Sequence, residues 1–212
     1  MHAFLKALSE GPLLADGATG TYLFELTGRL SEPRHVYEAL CLDRPELILN
    51  LHSTYLRAGA QCITTNSFAA NESKLKPLGE AHRFEEINRA AVRLAKEAVQ
   101  RYSEYNPEGG PYFVLGSVGP LREDGYQKKE VGQIYRRQIE ILAEEGVDAL
   151  LFETFTNLDH LLAAVAEARE VHSDLPVIAQ MSLSRTGGEK SWSLPIEKWM
   201  GCLLYTSPSP RD

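Results

Sequence analysis

Ala149-Leu150-Leu151-Phe152-Glu153-Thr154 sets four consecutive apolar residues directly against an acid. A strand with one wet face alternates apolar and polar residues, whereas an unbroken apolar run bounded by turn signals reads as a strand covered on both faces. Helical patterns bracket the run: Val131 to Glu145, stopped by Gly146, lies before it, and Leu158 to Val171 follows it. Strands joined through helices pair in parallel, because a crossover is what connects parallel neighbours. An acid placed straight after such a strand is costly unless it is paired or stands at an open strand end. Glu153 is therefore a candidate functional residue.

The same unit recurs outward from this stretch. Leu13-Leu14-Ala15 closes in Asp16-Gly17 and reads as a first strand. Pro45 to Ala58 carries Leu47, Leu49, Leu51, Tyr55 and Leu56 at roughly helical spacing, with Asp43 placed as a cap, Pro45 in the first turn and Gly59 at the stop. Cys62-Ile63-Thr64-Thr65 reads as a β-branched strand, and Phe84 to Tyr102 as an amphipathic helix with Ile87, Ala91, Leu94, Ala95 and Ala98 on one face. Tyr112 to Val118 is a strand ending in Gly119-Pro120, and Val177 to Met181 is a fifth strand.

Two architectures accommodate this α/β alternation, an open doubly wound sheet and a (β/α)8 TIM barrel, and periodicity alone does not separate them. The first turn, Asp16-Gly17-Ala18-Thr19-Gly20, is neither G-x-G-x-x-G nor a phosphate loop ending in Lys-Ser/Thr. Instead, Asp16, Thr65, Asn66, Ser117 and Glu153 gather at successive strand ends, as the active face of a barrel requires. Eight such units need on the order of 300 residues, so the 212 residues present are expected to hold about the first five βα units of an incomplete barrel.

Composition narrows the function classes. The chain carries 22 Lys and Arg against 29 Asp and Glu, a net charge of −7, with no basic run, which argues against nucleic acid or an anionic membrane surface as partner. No apolar run approaches the ~20 residues of a membrane span, and the N-terminus lacks the layout of a signal peptide. Three cysteines are too few for a disulfide framework. A soluble, cytoplasmic protein is expected. Residues 202–212, with two prolines and neither helical nor strand periodicity, also match the translation of a sequencing-library adapter, so native sequence is expected to end near Gly201.

Four segments, in order, carry a family resemblance. Leu13-Leu14-Ala15-Asp16-Gly17-Ala18-Thr19-Gly20-Thr21 resembles the opening strand and loop of homocysteine S-methyltransferases, and Ala58-Gly59-Ala60-Gln61-Cys62-Ile63-Thr64-Thr65-Asn66-Ser67-Phe68 resembles their second strand. Gly116-Ser117-Val118-Gly119-Pro120 is similar to the third, and Phe152-Glu153-Thr154 to the fourth. The first two segments look closest to the bacterial form in which this domain is fused to a methylenetetrahydrofolate reductase. The resemblance implies a (β/α)8 barrel that transfers a methyl group to the thiol of homocysteine, forming methionine. Its partners would be homocysteine and a small methyl donor: a methylated folate, S-methylmethionine or a betaine.

By the same resemblance, Asp16 and Glu153 hold the substrate ammonium, while Gly17 and Thr65 receive its carboxylate. The residues themselves leave plainer readings open. Asp16 before glycine suits an Asx-type turn, Thr65 suits β-branched strand filling, and Asn66 and Ser117 suit turn hydrogen bonding. The family's thiol-activating zinc is held by three cysteines, implied to lie beyond the native end, so no zinc is expected on this chain and it is expected to be inactive alone. Cys41 falls in a loop, Cys62 faces the helices if Thr65 faces the barrel, and Cys202 belongs to the suspected adapter. His35, His52, His82, His160 and His172 have no metal spacing and read as surface or packing residues. A competing reading is a different barrel, a lyase or hydrolase using Asp16 and Glu153 as an acid/base pair. A third is a truncated fragment without function.

Overall fold

A computed structural model describes residues 2–27, 36–122, 126 and 128–182. His35, the boundary near Gly201 and the segment 202–212 with Cys202 lie outside the described residues. The helices are α1 (Ala3–Glu10), α2 (Thr19–Thr27), α3 (Leu40–Asp43), α4 (Pro45–Arg57), α5 (Glu72–Leu75), α6 (Phe84–Tyr105), α7 (Lys128–Glu144) and α8 (Leu158–Val171). Between them run strands β1 (Cys62–Thr64), β2 (Phe113–Val118), β3 (Ala149–Phe155) and β4 (Val177–Met181). The strands pair in parallel in the order β1-β2-β3-β4, with no reversal of order among the described residues.

Strand parity divides the sheet into two chemistries. Ile63, Val114, Val118, Leu150 and Phe152 point one way and pack with Leu56 of α4, Val92 and Ala95 of α6, Ile139 and Leu142 of α7 and Leu161 and Val165 of α8. Burying each such side chain contributes about 1.5–3 kcal/mol, so this layer is what holds the helices to the sheet. On the opposite face lie Cys62, Phe113, Leu115, Ala149, Leu151 and Ile178, covered by Phe4 and Ala7 of α1. Phe4 meets Phe113 edge to face, with ring centroids 5.3 Å apart.

The sequence expectations hold closely for the helices and differ at the strand ends. Leu13–Ala15 forms a single bridge, Ala15 to Cys62, rather than a strand. Too few backbone groups are paired there to make a ladder. Asp43 does not cap α4: the residue before Pro45 is Arg44, no side chain caps the helix, and Asp43 instead accepts from Arg83. The third strand does not stop at Glu153 but continues to Phe155 through an irregularity. Cys41 lies in α3 and is buried, not in a loop. Cys62 faces α1 and not the outer helices. The strand ends at Thr64, so Thr65 does not continue its alternation and cannot be used to assign it.

Gly59 and Gly146, expected as helix stops, have φ of +103° and +76°, the left-handed region that glycine enters without a Cβ penalty. His52 is fully buried on α4 with neither ring nitrogen bonded, and burial pushes its pKa down to about 4, so it packs as the neutral ring.

Gly119 anchors the β2 exit against the loop after β1. Its N–H donates to the Phe68 carbonyl at 2.9 Å, and a Cβ there would stand 2.6 Å from that carbonyl and from the Phe68 ring. Gly119→Ala is expected to lower stability in urea unfolding by about 1–3 kcal/mol. Gly20→Ala, where a Cβ meets nothing within 4 Å, is expected to stay within about 0.5 kcal/mol of wild type. Equal effects at the two positions would contradict the packing described.

Candidate functional site

Moving toward the C-terminal ends of the strands, each residue two positions beyond the apolar inner layer is polar. Cys62, Leu115, Leu151 and Ile178 give way to Thr64, Ser117, Glu153 and Gln180. All four polar residues line one cavity of about 1080 Å³, together with Asp16, Gly17 and Thr65. The four residues implied to bind substrate, Asp16, Gly17, Thr65 and Glu153, are thus brought to the same cavity.

Asp16 is positioned by β1. Its N–H donates to Cys62 O at 2.9 Å, and its carboxylate accepts from Thr64 N at 2.8 Å and Thr64 Oγ1 at 2.7 Å, one bond to each oxygen. It is a clasp across 48 residues of sequence, not an Asx turn within its own loop. Burial pushes the Asp16 carboxyl above its ordinary value; the Thr64 bonds pull it down and the negative charge of Glu153 pushes it up again.

Glu153 owes its placement to a bulge. Phe152 pairs with Ala179 and Phe155 with Met181, so β3 spends one residue more than β4 over the interval. Thr154 absorbs that residue with a φ of +63°, strained for a β-branched side chain. Glu153 Oε1 accepts from Ser117 Oγ at 2.5 Å. No cation pairs with either Asp16 or Glu153 among the described residues.

Thr65 is buried, and proton counting fixes its bonds. Ser67 Oγ donates to the Ser117 carbonyl at 2.7 Å, which uses its only proton. In the 2.7 Å contact between Thr65 Oγ1 and Ser67 Oγ, Thr65 is therefore the donor. Thr65 Oγ1 accepts from Ser117 N at 2.9 Å, and Thr65 N donates to Leu115 O at 2.9 Å. In this arrangement Thr65 has no proton free for a ligand. The Gly17 N–H, by contrast, has no acceptor among the described residues, and the Tyr55 hydroxyl stands 3.0 Å from where a Gly17 Cβ would lie.

A buried amide pair backs the network. Gln138 Nε2 on α7 donates to Ser67 O at 2.8 Å and to Asn88 Oδ1 at 3.0 Å, and Asn88 Nδ2 donates to Ala70 O and Phe84 O. Asn66 turns away from the sheet, donating from Nδ2 to Tyr37 O at 2.9 Å. Ser117 and Asn66 thus serve as connectors, the role that turn hydrogen bonding suggested.

Sequence reading missed Thr64, Ser67, Gln180 and Glu38 among the residues of this site. Thr64 and Gln180 had a signal, since each sits two positions past an inward apolar residue. Glu38 had none: it is a buried acid in a 3-10 turn, Tyr37–Ala39, with 6% exposure. The two described cysteines are buried thiols. Burial pushes Cys41 up to about 12 and Cys62 up to about 11, and no group of three His, Cys, Asp or Glu among the described residues could hold a metal. The described residues therefore do not fit the zinc that the resemblance implies.

The family model for homocysteine S-methyltransferase matches residues 13–197. The chain belongs to the homocysteine S-methyltransferase family. Over 176 residues it is 35% identical to homocysteine S-methyltransferase of Escherichia coli, covering 74% of this chain and 56% of the relative. Over 185 residues it is 29% identical to the mouse S-methylmethionine–homocysteine S-methyltransferase, covering 86% of this chain and 47% of the relative. The metallated form of an E. coli homocysteine methyltransferase superposes with a TM-score of 0.83 at 27% identity, over 95% of this chain and 74% of that one. The chain spans about half the length of these two curated relatives.

In this chain the two carboxylates are electrostatically linked, which a pH titration of the Asp16 side chain by NMR checks. Its midpoint is expected above the ordinary 3.8, and Glu153→Gln is expected to lower it by removing a nearby negative charge. Because the folded value lies above the unfolded one, the contribution of Asp16 to stability is present below 3.8 and lost as pH rises through the folded midpoint. A midpoint below 3.8, or one indifferent to Glu153→Gln, would contradict the arrangement.

Proposed function

We propose that this chain binds the amino-acid end of homocysteine for transfer of a methyl group to its sulfur, giving methionine. The observation that carries the reading is a pair of carboxylates, Asp16 and Glu153, lining one cavity and repelling each other with no cation paired to either among the described residues. A substrate ammonium supplies that cation, and its binding favours the ionised form of both acids. The Gly17 N–H, unspent among the described residues and just before the start of α2, suits the substrate carboxylate, with the helix N-terminus adding to the attraction. For Thr65 to share that role, its hydroxyl turns from Ser67 toward the ligand.

The sequential parallel sheet supports the (β/α)8 barrel that the family implies, with the cavity at the C-terminal strand ends. In the reaction the homocysteine thiol loses its proton, its sulfur forms a bond to the donor methyl carbon, and the bond from that carbon to the donor breaks, its electron pair leaving with the donor. The thiol-activating zinc has no ligand set among the described residues, and the roles above belong to this chain's own groups. Each Asp16 oxygen accepts one bond from Thr64 and keeps a second lone pair, which a substrate ammonium can meet.

Calorimetric titration of the 212-residue chain with L-homocysteine, under reducing conditions, tests the reading. Wild type is expected to bind homocysteine in preference to 4-mercaptobutanoate, which lacks the ammonium. Glu153→Gln is expected to weaken homocysteine binding roughly ten- to hundredfold, the scale of a charged hydrogen bond, and to erase the preference. Equal affinity of wild type for the two ligands would overturn the assignment.

A further inference from the structure

Ser67 is fully buried behind the cavity wall, and every proton and backbone group it owns is committed. Its N–H donates to Thr65 O at 2.8 Å, its carbonyl accepts from Gln138 Nε2 at 2.8 Å, and its hydroxyl donates to Ser117 O at 2.7 Å. The hydroxyl oxygen is thereby fixed in place, and what it still offers is a lone pair. That lone pair receives the Thr65 proton across 2.7 Å. The loop after β1 thus builds an acceptor directly behind a hydroxyl that lines the cavity.

Thr65 Oγ1 is itself held by Ser117 N at 2.9 Å. A hydroxyl hydrogen turns about the Cβ–Oγ1 bond without moving the oxygen, so the bond from Ser117 survives whichever way the proton points. Two acceptors then compete for one proton: Ser67 Oγ while the cavity is empty, and a ligand atom once it is filled. Thr65 is only 2% exposed, and a buried hydroxyl left without an acceptor is costly. Ser67 removes that cost from the empty site. The same bond has to break when a ligand claims the proton, so its strength is subtracted from the affinity. A carboxylate makes good the loss, because a charge-assisted hydrogen bond is roughly twice as strong as a neutral one.

We propose that Ser67 is a positioning residue that sets the affinity of the site for carboxylates: it holds the Thr65 proton while the cavity is empty and yields it to a charged acceptor. It acts on the ligand through Thr65 and not directly. This role rests on the homocysteine reading only for the ligand that brings the carboxylate. Its signature is a reversal of sign. Removing a bond that only supports the fold weakens binding, whereas removing the acceptor that competes for the Thr65 proton strengthens it, and only for ligands that carry a carboxylate.

Calorimetric titration of the 212-residue chain with three thiols tests this role: L-homocysteine, 4-mercaptobutanoate, which keeps the carboxylate alone, and 3-aminopropane-1-thiol, which keeps the ammonium alone. Ser67→Ala is expected to tighten homocysteine and 4-mercaptobutanoate binding about three- to tenfold, the worth of one neutral hydrogen bond. The aminothiol is expected to stay within twofold of wild type. In a Thr65→Val background, adding Ser67→Ala is expected to change homocysteine affinity by less than twofold. Where Ser67→Ala fails to fold by circular dichroism, Ser67→Cys carries the test with the same gain expected, since a thiol still donates to Ser117 O but accepts only weakly from Thr65. Unchanged or weaker carboxylate binding in the folded variant overturns the role, as does an equal gain for all three thiols. Wild type that binds 4-mercaptobutanoate as tightly as homocysteine, with the gain in Ser67→Ala and its loss beside Thr65→Val, upholds the role of Ser67 and refutes the homocysteine reading instead. Binding of neither carboxylate by wild type or variant overturns both.

Discussion

Two hydrogen bonds from Thr64 to the carboxylate of Asp16 replace a strand. The first segment has one bridge to β1, and its backbone meets Gln61 and Cys62 through Leu14 O, which accepts from both their N–H groups, Leu14 N, which donates to Gln61 Oε1, and Asp16 N, which donates to Cys62 O. The side-chain clasp locks this short contact where a longer ladder would otherwise be needed. Everything that follows Asp16 depends on it: the exposed Gly17, the seat of Tyr55 against the loop and the start of α2 at the rim of the cavity. The carboxylate that organises the loop is also the one proposed to meet the substrate ammonium. Structure and binding therefore draw on the same group.

A second constraint lies behind the cavity wall. Ser67, Thr65 and Ser117 hand hydrogen bonds to one another and, through Ser117 Oγ, to Glu153, while Gln138 and Asn88 hold the loop after β1 from the helix side. A network tied at so many points fixes the direction of its end member, since in a low-dielectric interior an unpaired polar group is expensive. Against that rigid wall the bulge at Glu153 and Thr154 is a local cost, accepted where β3 must turn a side chain toward the cavity. Strain and order are thus concentrated at the same strand end.

Much of the fold was legible because burial on both faces writes an unbroken apolar run. Ala149 to Phe152 is such a run, and the helix from Leu158 to Val171 follows directly from period and punctuation. Leu13–Ala15 has the composition of a strand but forms one bridge, since a strand is completed by its neighbours and composition does not count them. Parity read through Thr65 failed for Cys62 because strand ends abandon alternation where loops begin. Asp16, Gly17, Thr65 and Glu153 could be nominated from resemblance and from the cost of an acid after an apolar strand. The partners that hold them, Thr64 across 48 residues and Gln138 across 71, leave no local trace in sequence. Glu38 was hidden for the opposite reason: a charged residue in a short turn normally signals a wet surface, and its burial is a tertiary fact.

The central claim is that Asp16 and Glu153 together receive an ammonium, and the protonation of Asp16 reports on it most directly. The Asp16 carboxyl carbon should be followed by NMR through a pH titration in the absence and in the presence of saturating L-homocysteine. The account predicts that the midpoint, raised in the free protein by burial and by Glu153, falls when the ligand binds, because a neighbouring cation favours the carboxylate. A midpoint that stays in place or rises while homocysteine is bound would contradict it.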